Sequence, residues 1–80
     1  MLSIIRDVTT KEIVFASYGK VSQTTSGVTC DEIADLSGDD WGTDAGFEKI
    51  EADIELPGDY FGGSHKLIED GDGYRFDVIS

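Results

Sequence analysis

Basic residues are scarce in this 80-residue chain: 6 Lys+Arg stand against 17 Asp+Glu, for a formal net charge of −11. Such an excess repels nucleic acid and anionic lipid, and no local basic cluster overrides it, so direct binding to either is not expected. One cysteine, Cys30, closes no internal disulfide, and one His with one Cys make no Cys/His zinc set. No run approaches the roughly 20 apolar residues of a membrane span. Residues 1–30 lack the basic start and apolar stretch of a secretory signal, so the chain is expected to be soluble as synthesised.

What is present is the material of one small domain, residues 1–80. The chain is 39% hydrophobic with 4 Phe, 3 Tyr and 1 Trp, which marks a globular rather than a disordered polymer. A domain of this size buries only about 60% of its unfolded surface. Its stability margin is therefore thin, and a protein partner or a self-assembly contact between copies would supply part of it.

The charge is unevenly placed. Residues 31–59 hold eleven acids and one base, Lys49, for a net of −10, while the other 51 residues hold six acids and five bases, net −1. Nearly all the surplus belongs to one stretch, an asymmetry that hints at an interaction surface.

Patterning predicts an α+β or mainly β fold: a small antiparallel sheet of four to five strands, made from two hairpins, with one short helix. The β-rich runs Leu2–Ile5 and Ile13–Ala16 flank a polar turn at Asp7–Lys11 and read as a hairpin. Residues 17–28, rich in hydroxyls, read as a loop or an exposed edge strand. Thr29-Cys30-Asp31-Glu32 resembles a helix start, a Thr cap with acids in the first turn, followed by Ile33 and Leu36 and stopped at Ser37-Gly38. Residues 47–56 fit period two better than a helical stripe, giving a half-buried strand ended by Pro57-Gly58. Ser64–Glu69 and Tyr74–Ile79 form a second hairpin around Asp70-Gly71-Asp72-Gly73. The expected core is Ile4, Ile13, Phe15, Ile33, Leu36, Trp41, Ile50, Ile54, Leu56, Phe61, Leu67, Phe76 and Val78.

Catalytic chemistry finds little footing. Nucleophile-and-base schemes must run through His65, and strand alternation would set Ser64 and His65 on opposite faces, leaving His65 an exposed polar residue. Carboxylate pairs are inevitable among 17 acids, yet so small a domain has little room for a substrate cleft of several hundred Å³. Asp70 and Asp72 have the one-three spacing of a calcium loop, but position five is Tyr74 and position twelve lies past Ser80, so a hairpin turn explains them better. The expectation is a protein that is not an enzyme and needs no cofactor or metal.

Docking fits better. The candidate partner-binding residues are Asp39, Asp40, Asp44, Glu51, Asp53, Glu55, Asp59, Tyr60 and Phe61. On one strand face Glu51, Asp53 and Glu55 would stand about 6.6 Å apart, a carboxylate comb able to imitate a nucleic-acid backbone with its charge every ~3.4 Å. Solvated carboxylates that serve solubility alone are the simpler account of the same residues. Tyr60 and Phe61, in a Gly-rich connection, would either seal the core or anchor a protein contact.

Two segments resemble small accessory proteins encoded among bacteriophage tail and tail-fibre genes. They are the strand, Thr-containing turn and strand of Ile4–Val14, and Leu56-Pro57-Gly58-Asp59-Tyr60-Phe61-Gly62-Gly63-Ser64-His65-Lys66-Leu67 with its Asp70–Tyr74 turn. The resemblance implies a phage origin and a structural or adaptor role, as a virion component docked on a tail, fibre or capsid protein. The alternative is an acidic nucleic-acid mimic that blocks the basic groove of a host defence enzyme, in the manner of anti-CRISPR or anti-restriction inhibitors. These readings place the chain in the virion or in the host cytoplasm.

Overall fold

The computed structural model describes residues 1–31, 41–61 and 63–79. The chain is mainly β, and its strands are β1 (Leu2–Asp7), β2 (Ile13–Ser17), β3 (Val21–Gln23), β4 (Val28–Cys30), β5 (Phe47–Ala52), β6 (His65–Asp70) and β7 (Gly73–Val78). A 3₁₀ turn at Thr43–Ala45 precedes β5. The strands make three small antiparallel sheets, β2-β1-β5, β3-β4 and β6-β7, rather than a single sheet of four or five.

Strand β1 explains the arrangement. Its run Leu2-Ser3-Ile4-Ile5-Arg6 is buried throughout, because a strand covered on both faces needs no polar alternation. Leu2 and Ile4 point to one side and join Ile13, Ile50 and Leu67, with Tyr60, Tyr74 and Phe76 packed around them. Ile5 points to the other and joins Val21, Val28 and Cys30, with Val14, Phe15, Trp41 and Phe47. The β2-β1-β5 sheet is thus the middle layer, with the β6–β7 hairpin on one face and the β3–β4 hairpin on the other. A bulge between Ile5 and Arg6 inserts Val14 into β2, so the consecutive Val14 and Phe15 both pack on the second cluster.

Arg6 lies on the Leu2/Ile4 face and is 3% exposed. Its Nη1 donates to the Leu67 carbonyl at 2.6 Å and its Nε to Glu48 at 3.3 Å, while Nη2 donates to Glu69. Its guanidinium carbon sits 5.8 Å from the centre of the Tyr74 ring. Every nitrogen of the group is engaged, which is the condition under which a buried charge is tolerated.

The connections are fixed by local polar chemistry. In the β1–β2 turn the Asp7 carboxylate accepts the Thr9 and Thr10 N–H groups at 2.7 and 2.9 Å, and Lys11 takes a left-handed φ of 70°. The β3–β4 loop closes with Thr24 N–H on Gly27 O at 2.9 Å, and it docks on the 3₁₀ turn through Thr43 N–H to Thr24 O and Asp44 N–H to Thr25 O, both 3.1 Å. Gly42 permits that docking, since a Cβ there would collide with the Thr25 carbonyl. Gly71, at φ 62°, opens the two-residue β6–β7 turn, so Asp70–Gly73 is the hairpin turn expected.

Several expectations are corrected. Thr29 is no helix cap but the middle of β4, and the rest of that helix, with Ile33 and Leu36, lies outside the described residues. Residues 17–28 are not a loop or lone edge strand; they supply β3 and the start of β4, paired as a hairpin. The strand over 47–56 stops at Ala52, because its partner β1 starts at Leu2, opposite Ala52. Phe61 and Val78 are exposed, at 69% and 68%, rather than in the core.

Two tests follow from Arg6 and its acids. Arg6→Ala strands a buried carbonyl and two carboxylates, and should cost about 3 kcal/mol, the low end for a broken buried pair because Glu48 and Glu69 reach solvent. That is a large share of the ~4–12 kcal/mol of an 80-residue domain; urea unfolding reads it, and a loss below about 1 kcal/mol contradicts the role. The Arg6 guanidinium holds Glu69 below its ordinary value of 4.5, and the Thr10 and Thr9 amides hold Asp7 below 3.8. Both folded values are depressed, so this stability is present at neutral pH and is lost as pH falls below about 4.5, where the unfolded chain takes up more protons. Thermal midpoints that stay level from pH 6 to about 3 would contradict it.

Candidate functional site

The segment that leaves β5 and returns to β6, residues 53–64, carries most of the described candidates. Its described residues have no regular structure, yet the segment is fastened at several points. The Tyr18 hydroxyl accepts the Leu56 N–H at 2.9 Å, and Ile54 and Leu56 pack on the first core cluster. Pro57 starts a turn closed by Tyr60 N–H on the Pro57 carbonyl at 3.1 Å. A second turn follows at once: Phe61 N–H donates to Ser64 Oγ, and Ser64 N–H to Phe61 O, each at 3.0 Å.

Beneath these turns lies His65, 3% exposed. Its Nδ1 is 2.5 Å from Ser64 Oγ and its Nε2 is 3.8 Å from Asp59 Oδ1. The Tyr60 ring lies 5.8 Å from the imidazole on one side and the Phe76 ring meets it edge-on at 6.3 Å. The expectation of an exposed His65 that cannot reach Ser64 is overturned. Strand β6 begins at His65, so Ser64 belongs to the preceding turn and the opposite-face rule does not apply between them. Ser64 Oγ is itself buried and already accepts the Phe61 amide, so the pair braces the turn.

The consequence is a division of labour between neighbouring rings. Tyr60 turns inward, where burial pushes its phenol pKa up. Phe61, held by its own N–H and C=O, is left facing solvent. Glu51, Asp53, Glu55 and Asp59 are exposed along the same stretch, although only Glu51 lies on the strand, so the regular comb does not form past Ala52. Glu51 is 3.6 Å from Lys49. Asp44 is exposed on the 3₁₀ turn, and Asp39 and Asp40 lie outside the described residues. Trp41 is partly buried against the second core cluster, where it stacks on Phe15 at 5.7 Å.

The basic side chains do little to offset these acids. Arg6, Lys11, Lys49 and Arg75, four of the six Lys+Arg, are in ion pairs with Glu48, Glu69, Glu51 and Asp77. An open polar depression of about 420 Å³, more room than the chain length suggested, lies at the far end of the β3–β4 face between Ser3, Tyr18, Lys20, Lys49 and Glu51. His65 does not line it. Among the described residues no group of three His, Cys, Asp or Glu is placed to hold a metal ion, and no helix is long and apolar enough to cross a membrane. No protein-family model matches the chain, and neither a curated protein nor a solved structure does.

Of the residues proposed from sequence, the fold gathers Asp53, Glu55, Asp59, Tyr60 and Phe61 on one fastened segment, with Glu51 at its root. The residues missed are the braces, Tyr18, Ser64 and His65. Only the Pro-Gly and Gly-Gly pairs around them signalled tight turns, and no local pattern announced a buried imidazole. Ser64→Ala removes the acceptor of the Phe61 amide and the partner of Nδ1, and should cost about 1–3 kcal/mol in urea unfolding. A change within about 0.5 kcal/mol would mean that Ser64 does not brace the segment.

Proposed function

We propose that the chain is a non-enzymatic docking protein, a small accessory component of a phage particle that seats the 51–61 segment on a basic surface of a tail, fibre or capsid protein. The observation that carries this reading is Phe61. A large ring 69% exposed is costly to leave in water, and here its backbone is pinned on both sides by Ser64. A pre-positioned ring loses little conformational freedom on binding, which is what makes an aromatic an effective anchor. The acids beside it would favour a basic partner and steer its approach.

A second reading, an acidic inhibitor of a basic nucleic-acid groove, draws on the exposed carboxylates Asp53, Glu55 and Asp59, while four of the six cations are engaged in ion pairs with other acids of the chain. Salt separates the two. Contacts between exposed charges weaken sharply between about 50 and 200 mM salt, whereas a contact centred on a buried ring persists.

Purified particles analysed by mass spectrometry should contain the chain. Phe61→Ala should weaken its attachment at least about tenfold while leaving the urea midpoint in place, since an exposed ring adds little to folding. Particles without the chain overturn the virion reading. An unchanged attachment of the Phe61→Ala variant removes the ring from the interface.

A further inference from the structure

Among the described residues, one long strand edge of the β6–β7 hairpin is left unpaired. Ile79 N–H donates to Ser64 O at 2.9 Å, and the pairs Lys66↔Asp77, Ile68↔Arg75 and Asp70↔Gly73 continue that series in steps of two. Gly73, Arg75, Asp77 and Ile79 therefore commit their backbone groups to the hairpin. Antiparallel pairing alternates, so the N–H and C=O groups of Tyr74, Phe76 and Val78 point away from β6. On the opposite edge the corresponding groups of Leu67 are used, its N–H by Lys11 O at 3.0 Å and its C=O by Arg6. On β7, no turn, loop or neighbouring strand among the described residues hydrogen-bonds the outward groups.

We propose that this edge receives a second copy of the chain, β7 against β7 about a two-fold axis at Phe76, which joins two hairpins into one four-stranded antiparallel sheet. The strand is complementary to itself in that register. Phe76 faces its own equivalent, and Tyr74 faces the partner subunit's Val78, all with outward backbone groups that can complete the ladder. Arg75 falls opposite the partner subunit's Asp77, and Asp77 opposite the partner subunit's Arg75. These charges already pair within one chain and are half exposed, so two copies would set four alternating charges side by side. The next registers that keep the backbone in phase place Arg75 against Arg75 or Asp77 against Asp77, so the charge pattern selects one alignment. Val78, whose side chain is exposed at 68%, gains the partner subunit's Tyr74 ring as a neighbour.

A charge of −11 on each copy opposes association. At physiological ionic strength, however, charges beyond about 8 Å are screened, and the local Arg–Asp pairs decide. The edge is separate from the 51–61 segment, so either assignment can fail without the other.

Sedimentation velocity of the intact chain between about 20 μM and 1 mM should show its mass rising from 8.7 kDa toward twice that value, the behaviour of a small interface. Arg75→Asp and Asp77→Arg, made singly, should each weaken association at least about tenfold, and the two together should restore it. Val78→Pro removes an outward N–H that β6 does not use and should abolish the dimer, with the urea midpoint as the check on folding. In the unmodified chain, the amides of Tyr74, Phe76 and Val78 should become protected from exchange as concentration rises, while those of Arg75 and Asp77 are protected throughout. A chain that stays monomeric at about 1 mM overturns the proposal. So does a dimer that survives Val78→Pro, or a double charge swap no better than the single changes.

Discussion

A strand buried on both faces has to place any polar side chain it carries against a partner, and Arg6 is how β1 meets that constraint. Its guanidinium is shared among Glu48 of β5, the Leu67 carbonyl and Glu69 of β6, with the Tyr74 ring of β7 alongside. Two separate sheets, β2-β1-β5 and β6-β7, are thereby held to one group. Apolar packing of Leu2, Ile4, Ile13, Ile50 and Leu67 supplies the non-directional attraction between the same layers. The arginine adds direction, fixing which carbonyl and which carboxylates of the hairpin face the central sheet.

From that tie the position of the acidic segment follows. Strand β5 ends where β1 begins, and the chain must travel from Ala52 to the start of β6 on the side that Arg6 defines. Ile54, Leu56 and Tyr60 cover the first core on the way, so the alternate residues Asp53, Glu55 and Asp59 are left in water. The braces at Tyr18 and Ser64 give an irregular segment a fixed course. Rigidity beneath and carboxylates with one ring above is a combination suited to recognition, since little ordering remains to be done on contact.

Much of this was legible in the sequence, and the parts that were not share a cause. The β1–β2 and β6–β7 hairpins, with the Asp7 turn and the Asp70–Gly73 turn, follow from residues close together in the chain, where period-two runs and turn chemistry speak directly. Ile4, Ile13, Ile50 and Leu67 were identifiable as core for the same reason. Misreadings arose where distant segments decide. Ile5, Val21 and Val28 are buried by a third layer that no local pattern reveals, and Thr29 met the cap pattern yet pairs with Ser22 in a hairpin. His65 looked like a surface residue because its partners lie in a turn or far along the sequence, and no local pattern marked Arg6 for burial. At the candidate site, the identities of the acids and rings could be read, but the inward Tyr60 and outward Phe61 could not, since that choice rests on one serine hydroxyl.

The most direct test of Arg6 as the tie between layers is solvent exchange of arginine side-chain protons by NMR, comparing Arg6 with Arg75, whose side chain is 51% exposed. If the guanidinium is enclosed between the sheets, the Arg6 Nε proton exchanges with water about tenfold or more slowly than that of Arg75. Equal exchange rates for the two would contradict the account.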